Sequence, residues 1–536
     1  MERTRLSAEG RRVRPASVVR LFIQPVQFNS DNNLFLVEHL PTLTKQSCHD
    51  GGGKHAHIQS GSYGNSASSV ILKASVRAHA ARVIGLGLFL FGSLAYRSEN
   101  RDVFGLWSWP YLAIVVISGA LFLMAVAHSW TRSRQLNLDT YQPSIGSMCL
   151  ELAVLMWGTG YFLNGLDASR NWGQIADLNL FGSSHPLAAL ALWGALLVAT
   201  LGLAETVVPR GRTSRAGAIM LAIWVTAVLL LLIEGGIRVF AIVAPQSQGY
   251  PTYTTALWSR KFVSLNQAGF RDAEHPRPAS GDHQRLLVVG DSLAFGWGLP
   301  HTEDRFGEQL AKRLNQRTGV EWTSLNGSIG DTHTLTHIEF LKAMQGHQPD
   351  VTLLLYAFND IDYLAQVTPR EGQSEHAGSL LARISPVRIL FKNSFLFQSI
   401  YIRLRLMTYA PSPEDSDPYG NDALLDEHFR DLDRFVSLAS TSSTVVAIVP
   451  FNIGVVASKD ASSHYNHFVK AAVAHGLPIW PAGPEVFSGH AYKDLVVNTL
   501  DSHPNERANQ ILADRIADRV QVALERHLQT HVTSER

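Results

Sequence analysis

Three stretches of this chain, residues 104–127, 186–204 and 216–233, contain no charged residue. A helix that crosses a bilayer needs about 20 mostly apolar residues, because the hydrocarbon core is about 30 Å thick. Backbone inside that core must close its own hydrogen bonds, so each stretch reads as a transmembrane helix. Residues 143–166 carry one acid, Glu151. A charge at mid-membrane costs about 2.5–3.5 kcal/mol, and each Leu, Ile, Val or Phe returns about 0.3–0.6. The apolar side chains there offset one carboxylate, and a further span is expected. Residues 83–96 are short for a crossing and span only if 78–82 join them, with Arg82 snorkelling to the interface.

Five spans place the two termini on opposite sides. Lys73, Arg77, Arg82, Arg132, Arg134, Arg210, Arg212 and Arg215 then share one side, and Arg97, Arg101, Arg170 and Arg238 the other. The more basic side stays in the cytoplasm, which puts the C-terminus outside. Four spans, with the C-terminal half inside, are the alternative, and the first or third span decides between them. Glu151 reads either as an intramembrane acid facing a substrate path or as an acid near a span end or in a helix contact, and the second is preferred. Residues 1–70 show no clear periodicity. The tract 48–69 is rich in Gly, Ser and His and reads as disordered. Its His49, His55 and His57 fit a flexible tract better than a metal site, and residues 1–20 lack the apolar core of a cleaved signal peptide.

The formal net charge is +1, which gives no case for nucleic acid. The two cysteines, Cys48 and Cys149, lie far apart, and neither a metal-ligand spacing nor a disulfide framework is present. Beyond Pro245 the chain turns polar. Residues 245–284 hold Pro, Gly, Ser and Thr clusters and read as a linker with an irregular lead-in. Short apolar runs then alternate with helical patterns. Strands are expected at 286–289, 322–326, 351–357, 444–449 and 478–480, and helices at 304–316, 335–345, 424–439, 465–475 and 506–527. This alternation predicts an α/β domain with a parallel, doubly wound sheet. Residues 362–421 break the alternation and read as an insertion.

Gly290-Asp291-Ser292-Leu293 follows directly on the first strand. In an open α/β sheet ligands bind at that rim, so Ser292 is a candidate nucleophile. Asp501-Ser502-His503-Pro504-Asn505 stands in a loop before the last helix. Such a loop projects at the same rim, and His503 can reach Ser292. Asp501, two residues back, can turn to the other imidazole nitrogen in an extended or turn conformation, and Pro504 biases His503 away from helix. Asn326-Gly327-Ser328-Ile329-Gly330 follows strand two, and Ala357-Phe358-Asn359-Asp360 follows strand three. A glycine there lets substrate approach a backbone N–H, and an amide side chain offers a neutral donor to a developing oxyanion. Each signal is weak alone; their order along the chain carries the information. Asp291 and Asp360 read as loop scaffolding rather than catalytic groups.

This order resembles the SGNH (GDSL-type) hydrolase family over residues 262–528. Ser292 matches the nucleophile block, Gly330 the glycine block, Asn359 the asparagine block, and Asp501 with His503 the final block. Residues 266–272 also look like the lead-in of membrane-tethered members. The resemblance implies a flavodoxin-like three-layer fold, a Ser292–His503–Asp501 triad and an oxyanion hole of Ser292, Gly330 and Asn359. It implies no cofactor and no metal. One position departs: Ala357 stands where the asparagine block often has glycine, which narrows the pocket slightly. The expected layout is 1–77 poorly ordered, 78–244 an all-α membrane domain of about five spans, 245–284 a linker, and 285–530 the hydrolase-like domain with an insertion at 362–421.

Function is then expected to be that of a membrane-anchored serine esterase acting outside the cytoplasm on an O-acetylated glycan or a lipid ester. An O-acyltransferase modifying an envelope glycan, and a catalytically silent tethered binding domain, are the alternatives. Oligomeric state, acyl group and alcohol are open. Within the insertion, residues 384–409 hold large apolar side chains beside Arg388, Lys392, Arg403 and Arg405. They suit a membrane-surface segment, a lid over an acyl pocket, or packing against the sheet edge.

Overall fold

The structure is a computed structural model; it describes residues 80–94, 109–135, 144–167, 180–211, 214–276, 283–361, 364, 386–408, 418–451, 453–456 and 459–534. The sequence readings for 1–77 lie outside the described residues.

The N-terminal half is helical. Helix α1 is Ala80–Leu94, α2 Trp109–Gln135, α3 Ile145–Asp167, α4 Pro186–Gly202, α5 Ala204–Gly211 and α6 Arg215–Val243. Among the described residues α2, α3 and α6 are long and apolar enough to cross a membrane, and α4 with α5 makes a fourth candidate bent by 42°. Helix α1, the first of the five expected spans, is a shorter apolar helix. It packs closely on α3: a Cβ on Gly92 would come within 2.8 Å of the Tyr161 carbonyl, and one on Gly158 would collide with the Gly85 carbonyl. Small residues let helix backbones meet in this way. Glu151 is buried on α3 and paired with Arg82 of α1, whose Nε lies 2.8 Å from Glu151 Oε2. The acid therefore sits in a helix–helix contact.

In the stretch read as a linker, residues 253–262 form helix α7 (Tyr253–Phe262), capped by Thr252 and buried from Tyr253 to Ser259. The C-terminal half is built on strands β1 (Gln284–Gly290), β2 (Trp322–Ser328), β3 (Val351–Tyr356) and β4 (Val445–Pro450). They pair in parallel in the order β2-β1-β3-β4. The expected strand at 478–480 makes only an isolated parallel bridge, Ile448 to Ile479, beside β4. Helices α8 (Ser292–Phe295), α9 (Phe306–Thr318), α10 (Thr334–Met344), α11 (Pro386–Asn393), α12 (Phe395–Thr408), α13 (Asp422–Ala439) and α14 (Lys459–His475) fall between the strands or after them. A ribbon of β5 (Val496–Asn498) and β6 (Asp501–Pro504) precedes the last helix, α15 (Glu506–Ser534).

The strand period of two sorts β1 between two cores. Leu286 and Val288 pack with α9 and α15 residues such as Leu310, Leu512 and Ile516. Leu287 and Val289 pack with Leu341, Phe435 and Phe468 of α10, α13 and α14. Helices thus cover both faces of the sheet, as a parallel sheet requires, and the strand ends at one rim stay free to build a site.

In the insertion, α11 and α12 dock on the helical half rather than on the sheet edge. Asn393 Oδ1 accepts the amides of Leu180 and Phe181, and Tyr253 donates its hydroxyl to Lys392 O at 2.6 Å. The remainder of the insertion, 362–363, 365–385 and 409–417, lies outside the described residues.

Candidate active site

Strand β1 ends at Gly290, where a Cβ would meet Leu355 O at 2.7 Å, so no larger residue fits that close approach. The chain then turns into α8. The Asp291 side chain accepts the Leu293 amide at 2.9 Å and caps this one-turn helix, whose end is Gly296 in the left-handed region. Ser292 is the first helical residue and points into a cleft of about 370 Å³. The cleft is lined by Leu293, Phe358, Phe451 and Ile453 on its apolar side and by Asn359, Tyr492 and His503 on its polar side.

His503 reaches Ser292 across 211 positions of sequence, with Nε2 2.8 Å from Ser292 Oγ. Its Nδ1 lies 2.5 Å from Asp501 Oδ1, and its backbone N–H donates to the same oxygen at 3.1 Å. The sequence placed this segment in a loop; it is the short strand β6, antiparallel to β5. The extended backbone sends Ser502 away and lets residues two apart face each other.

Asp501 is buried, and burial by itself raises a carboxyl pKa. Hydrogen bonding and charge from His503, with the Ser247 hydroxyl, outweigh it and hold the pKa below the usual carboxylate value. Asp291 shows the opposite balance. Burial raises its pKa, and the Leu293 amide, His503, Asn359 and Ser292 only oppose that rise. Ser292 Oγ also lies 3.2 Å from Asp291 Oδ2, farther than from His503. One hydroxyl hydrogen serves one acceptor, and His503 is the nearer.

Asn359 lines the cleft, as the sequence order implied. Gly330 lies beside Ser292: a Cβ there would touch Ser292 Cβ at 3.7 Å and the Trp297 ring at 3.2 Å. Asp360 lies behind the site, its Oδ2 accepting the Ala357 amide at 3.4 Å and facing His337 Nδ1 at 3.6 Å, which is a scaffolding position.

Several contributors escape sequence reasoning. The Trp297 ring lies 6.2 Å from the His503 ring and walls the imidazole in. Ser247 arrives from the segment after α6, and no motif marks it. Tyr492 hydrogen-bonds Ser502, and its burial raises the phenol pKa. Only Trp297, an aromatic close behind the Gly-Asp-Ser turn, offered a local signal.

No curated protein matches this sequence. Among solved structures, one titled "Crystal Structure of TesA" is 16% identical, covering 45% of this chain and 99% of that one, with a TM-score of 0.28. A lipase, Lip_vut3, from a goat rumen metagenome is 12% identical, covering 45% of this chain and 97% of its own, with a TM-score of 0.26. Residues 288–511 match the family model described as GDSL-like Lipase/Acylhydrolase family, so this part of the chain is similar to that family.

Proposed function

We propose that the protein is a membrane-anchored serine esterase in which Ser292, His503 and Asp501 form the catalytic triad. The observation that carries this reading is the continuous chain of contacts from Asp501 through His503 to Ser292 at the open rim of the sheet. In the proposed reaction Asp501 holds Nδ1–H, so Nε2 is free to take the Ser292 proton as Oγ attacks an acyl carbonyl. His503 then returns that proton to the leaving alcohol, and water resolves the acyl-enzyme by the same steps in reverse. The Ser292 and Gly330 amides and the Asn359 side chain hold the oxyanion. Losing one such donor typically costs about 2.7–4 kcal/mol of transition-state stabilisation.

The apolar wall of Leu293, Phe358, Phe451 and Ile453 suits an acyl group, and the open polar side suits an alcohol as large as a glycan or a lipid headgroup. The three long apolar helices would anchor the domain, with the cleft outside the cytoplasm. The test is hydrolysis of p-nitrophenyl acetate by the purified full chain in nanodiscs. Turnover is expected, and Ser292→Ala and His503→Ala are each expected to remove it; activity that survives Ser292→Ala sinks the assignment.

A further inference from the structure

A second cavity is lined in part by Asn498 and Leu500, which lie close in sequence to Asp501. It measures about 290 Å³ and forms where the end of α6, the segment 246–248, α7, α12 and the β5–β6 turn meet. That size stands near the lower end of the ~300–1,000 Å³ typical of ligand pockets. Its walls are mostly apolar: Ile237 and Phe240 of α6, Leu396 and Ile400 of α12, and Leu500 beside Asp501. Phe240 and Ile400 are also exposed, as are Val239 and Val243 around the same helix end. Since α6 is long and apolar enough to cross a membrane, this collar opens toward the level at which lipid chains meet headgroups.

Two polar side chains in the lining point to more than a lipid-wetted crevice. Gln248 is 8% exposed and Thr254 is 7% exposed, and both line the cavity. Gln248 donates its Nε2 to Ser399 at 3.2 Å, which fixes the amide, yet its Oε1 has no hydrogen-bond partner. The Thr254 hydroxyl has none either. Buried polar atoms are ordinarily paired, because leaving one unmet costs about 1–3 kcal/mol. An amide oxygen can only accept, so it calls for a ligand bearing O–H or N–H. An apolar cavity whose lining includes an unmet acceptor and an unmet hydroxyl matches an alkyl chain with an uncharged hydroxylated head.

We infer that this cavity binds a monoacyl lipid drawn from the membrane, its chain along Ile237, Phe240, Leu396 and Ile400 and its head hydroxyl on Gln248 Oε1. The site shares a wall with the catalytic machinery. Ser247 accepts Asn498 Nδ2 on its carbonyl at 2.8 Å, and its hydroxyl faces Asp501. The inference stands apart from the ester-cleaving reading, because its readout is binding rather than turnover.

The test is photolabelling of the full chain in phosphatidylcholine nanodiscs with a monoacylglycerol carrying a diazirine in its chain. Labelled peptides are expected to cover 237–241 and 396–400, and unlabelled monoacylglycerol is expected to compete. Ile400→Trp changes an exposed position and fills the mouth; it is expected to lower labelling of 237–241 at least fivefold. Gln248→Met removes the acceptor and is expected to weaken competition about three- to tenfold, as loss of one neutral hydrogen bond does. Labelling spread evenly along the outer face of α6 and indifferent to Ile400→Trp would show ordinary boundary lipid and overturn the proposal. Unchanged competition in Gln248→Met, with the melting temperature preserved, would overturn it equally, since water then satisfies the amide.

Discussion

The carboxylate of Glu234 accepts the backbone amides of both Phe395, at 3.0 Å, and Leu396, at 2.9 Å. An acid near the end of an apolar helix thus caps the start of α12, more than 150 residues downstream, and ties the segment 386–408 to the N-terminal helical half. Arg238, one turn along α6, pairs with Glu234 at 2.6 Å. It donates on to Phe181 O at 2.8 Å, Ala189 O at 2.7 Å and Asn393 O at 3.0 Å, so it also closes the end of α11. Both side chains are buried. The junction is a satisfied polar network, and such networks fail badly when half is removed.

Replacing Arg238 with Met is therefore expected to destabilise the protein by about 3–5 kcal/mol, because it strands a buried carboxylate. Denaturant unfolding in detergent micelles, followed by tryptophan fluorescence, measures this. A loss below about 1 kcal/mol, the range of an exposed pair, would contradict the reading of a buried joint.

Asn359→Ala removes the one side-chain donor of the proposed oxyanion hole. If the roles are as proposed, kcat on p-nitrophenyl acetate falls about 10²- to 10³-fold while KM changes little. An equal rise in KM with kcat preserved would make Asn359 a substrate-binding group instead.

Two histidines give the hydrolase domain a defined acid sensitivity. Burial lowers the pKa of His337 and of His428 to about 3. Both are folded as neutral imidazoles, whereas the unfolded chain takes up protons below the ordinary value near 6.5. Their contribution is therefore present above about pH 6.5 and is lost as pH falls from there toward 3. By linkage each histidine accounts for about 2 kcal/mol of lost stability between pH 7 and pH 5. His428 bonds Tyr356 Oη at 2.9 Å, so Gln is a conservative replacement. Urea unfolding at the two pH values is expected to show a smaller difference in His428→Gln than in the parent; equal differences refute the account.

The sheet was legible because parallel strands buried on both faces read as unbroken apolar runs. Leu286 to Val289 and the expected strand at 351–357 are such runs; β1 extends the first by a residue or two at each end, and β3 stops one residue short of the second. The run at 478–480 failed to become a full strand: Pro478 has no N–H to give, and Ile479 bridges β4 alone. At the site, Ser292, Asn359 and His503 could be named because each follows or precedes an element the pattern reveals. Ser247 could not, since a side chain that supports the proposed triad from behind needs only a hydroxyl in the right place, and for Trp297 the only signal was its position close behind the Gly-Asp-Ser turn. The docking of α11 and α12 was hidden for a related reason. Glu234 belongs to no motif, and its partners lie more than 150 positions away.

Gly298 has φ of +83° and stands against the catalytic edge. A Cβ there would come within 2.6 Å of the Val497 side chain and 3.2 Å of Asp501 Oδ2. Gly298→Ala combines left-handed strain of about 1–2 kcal/mol with a push on β5. Since β5 pairs with β6, which carries Asp501 and His503, kcat is expected to fall more than tenfold with the far-ultraviolet spectrum unchanged. Full activity in that variant would mean the ribbon yields without moving the imidazole.

The side of the membrane on which the cleft lies follows from the number of crossings and can be read directly. Helix α1 is short, yet Arg82 and Glu151 join it to α3, and Gly85, Gly92 and Gly158 bring the two backbones together. A helix held so closely in the bundle counts as a crossing in the proposed topology, with Arg82 reaching toward the interface. Adding α2, α3, α4 with α5, and α6 makes five, an odd number. The basic residues at one end of this bundle include Arg82, Arg210 and Arg215, and in the proposed topology the excess on that side keeps it in the cytoplasm. The C-terminal domain then faces outward. A reporter enzyme that works only outside the cytoplasm, fused after residue 536, is expected to be active. A silent reporter, with a cytoplasm-only reporter active at the same position, would reduce α1 to a helix that does not cross and would place the C-terminal domain inside.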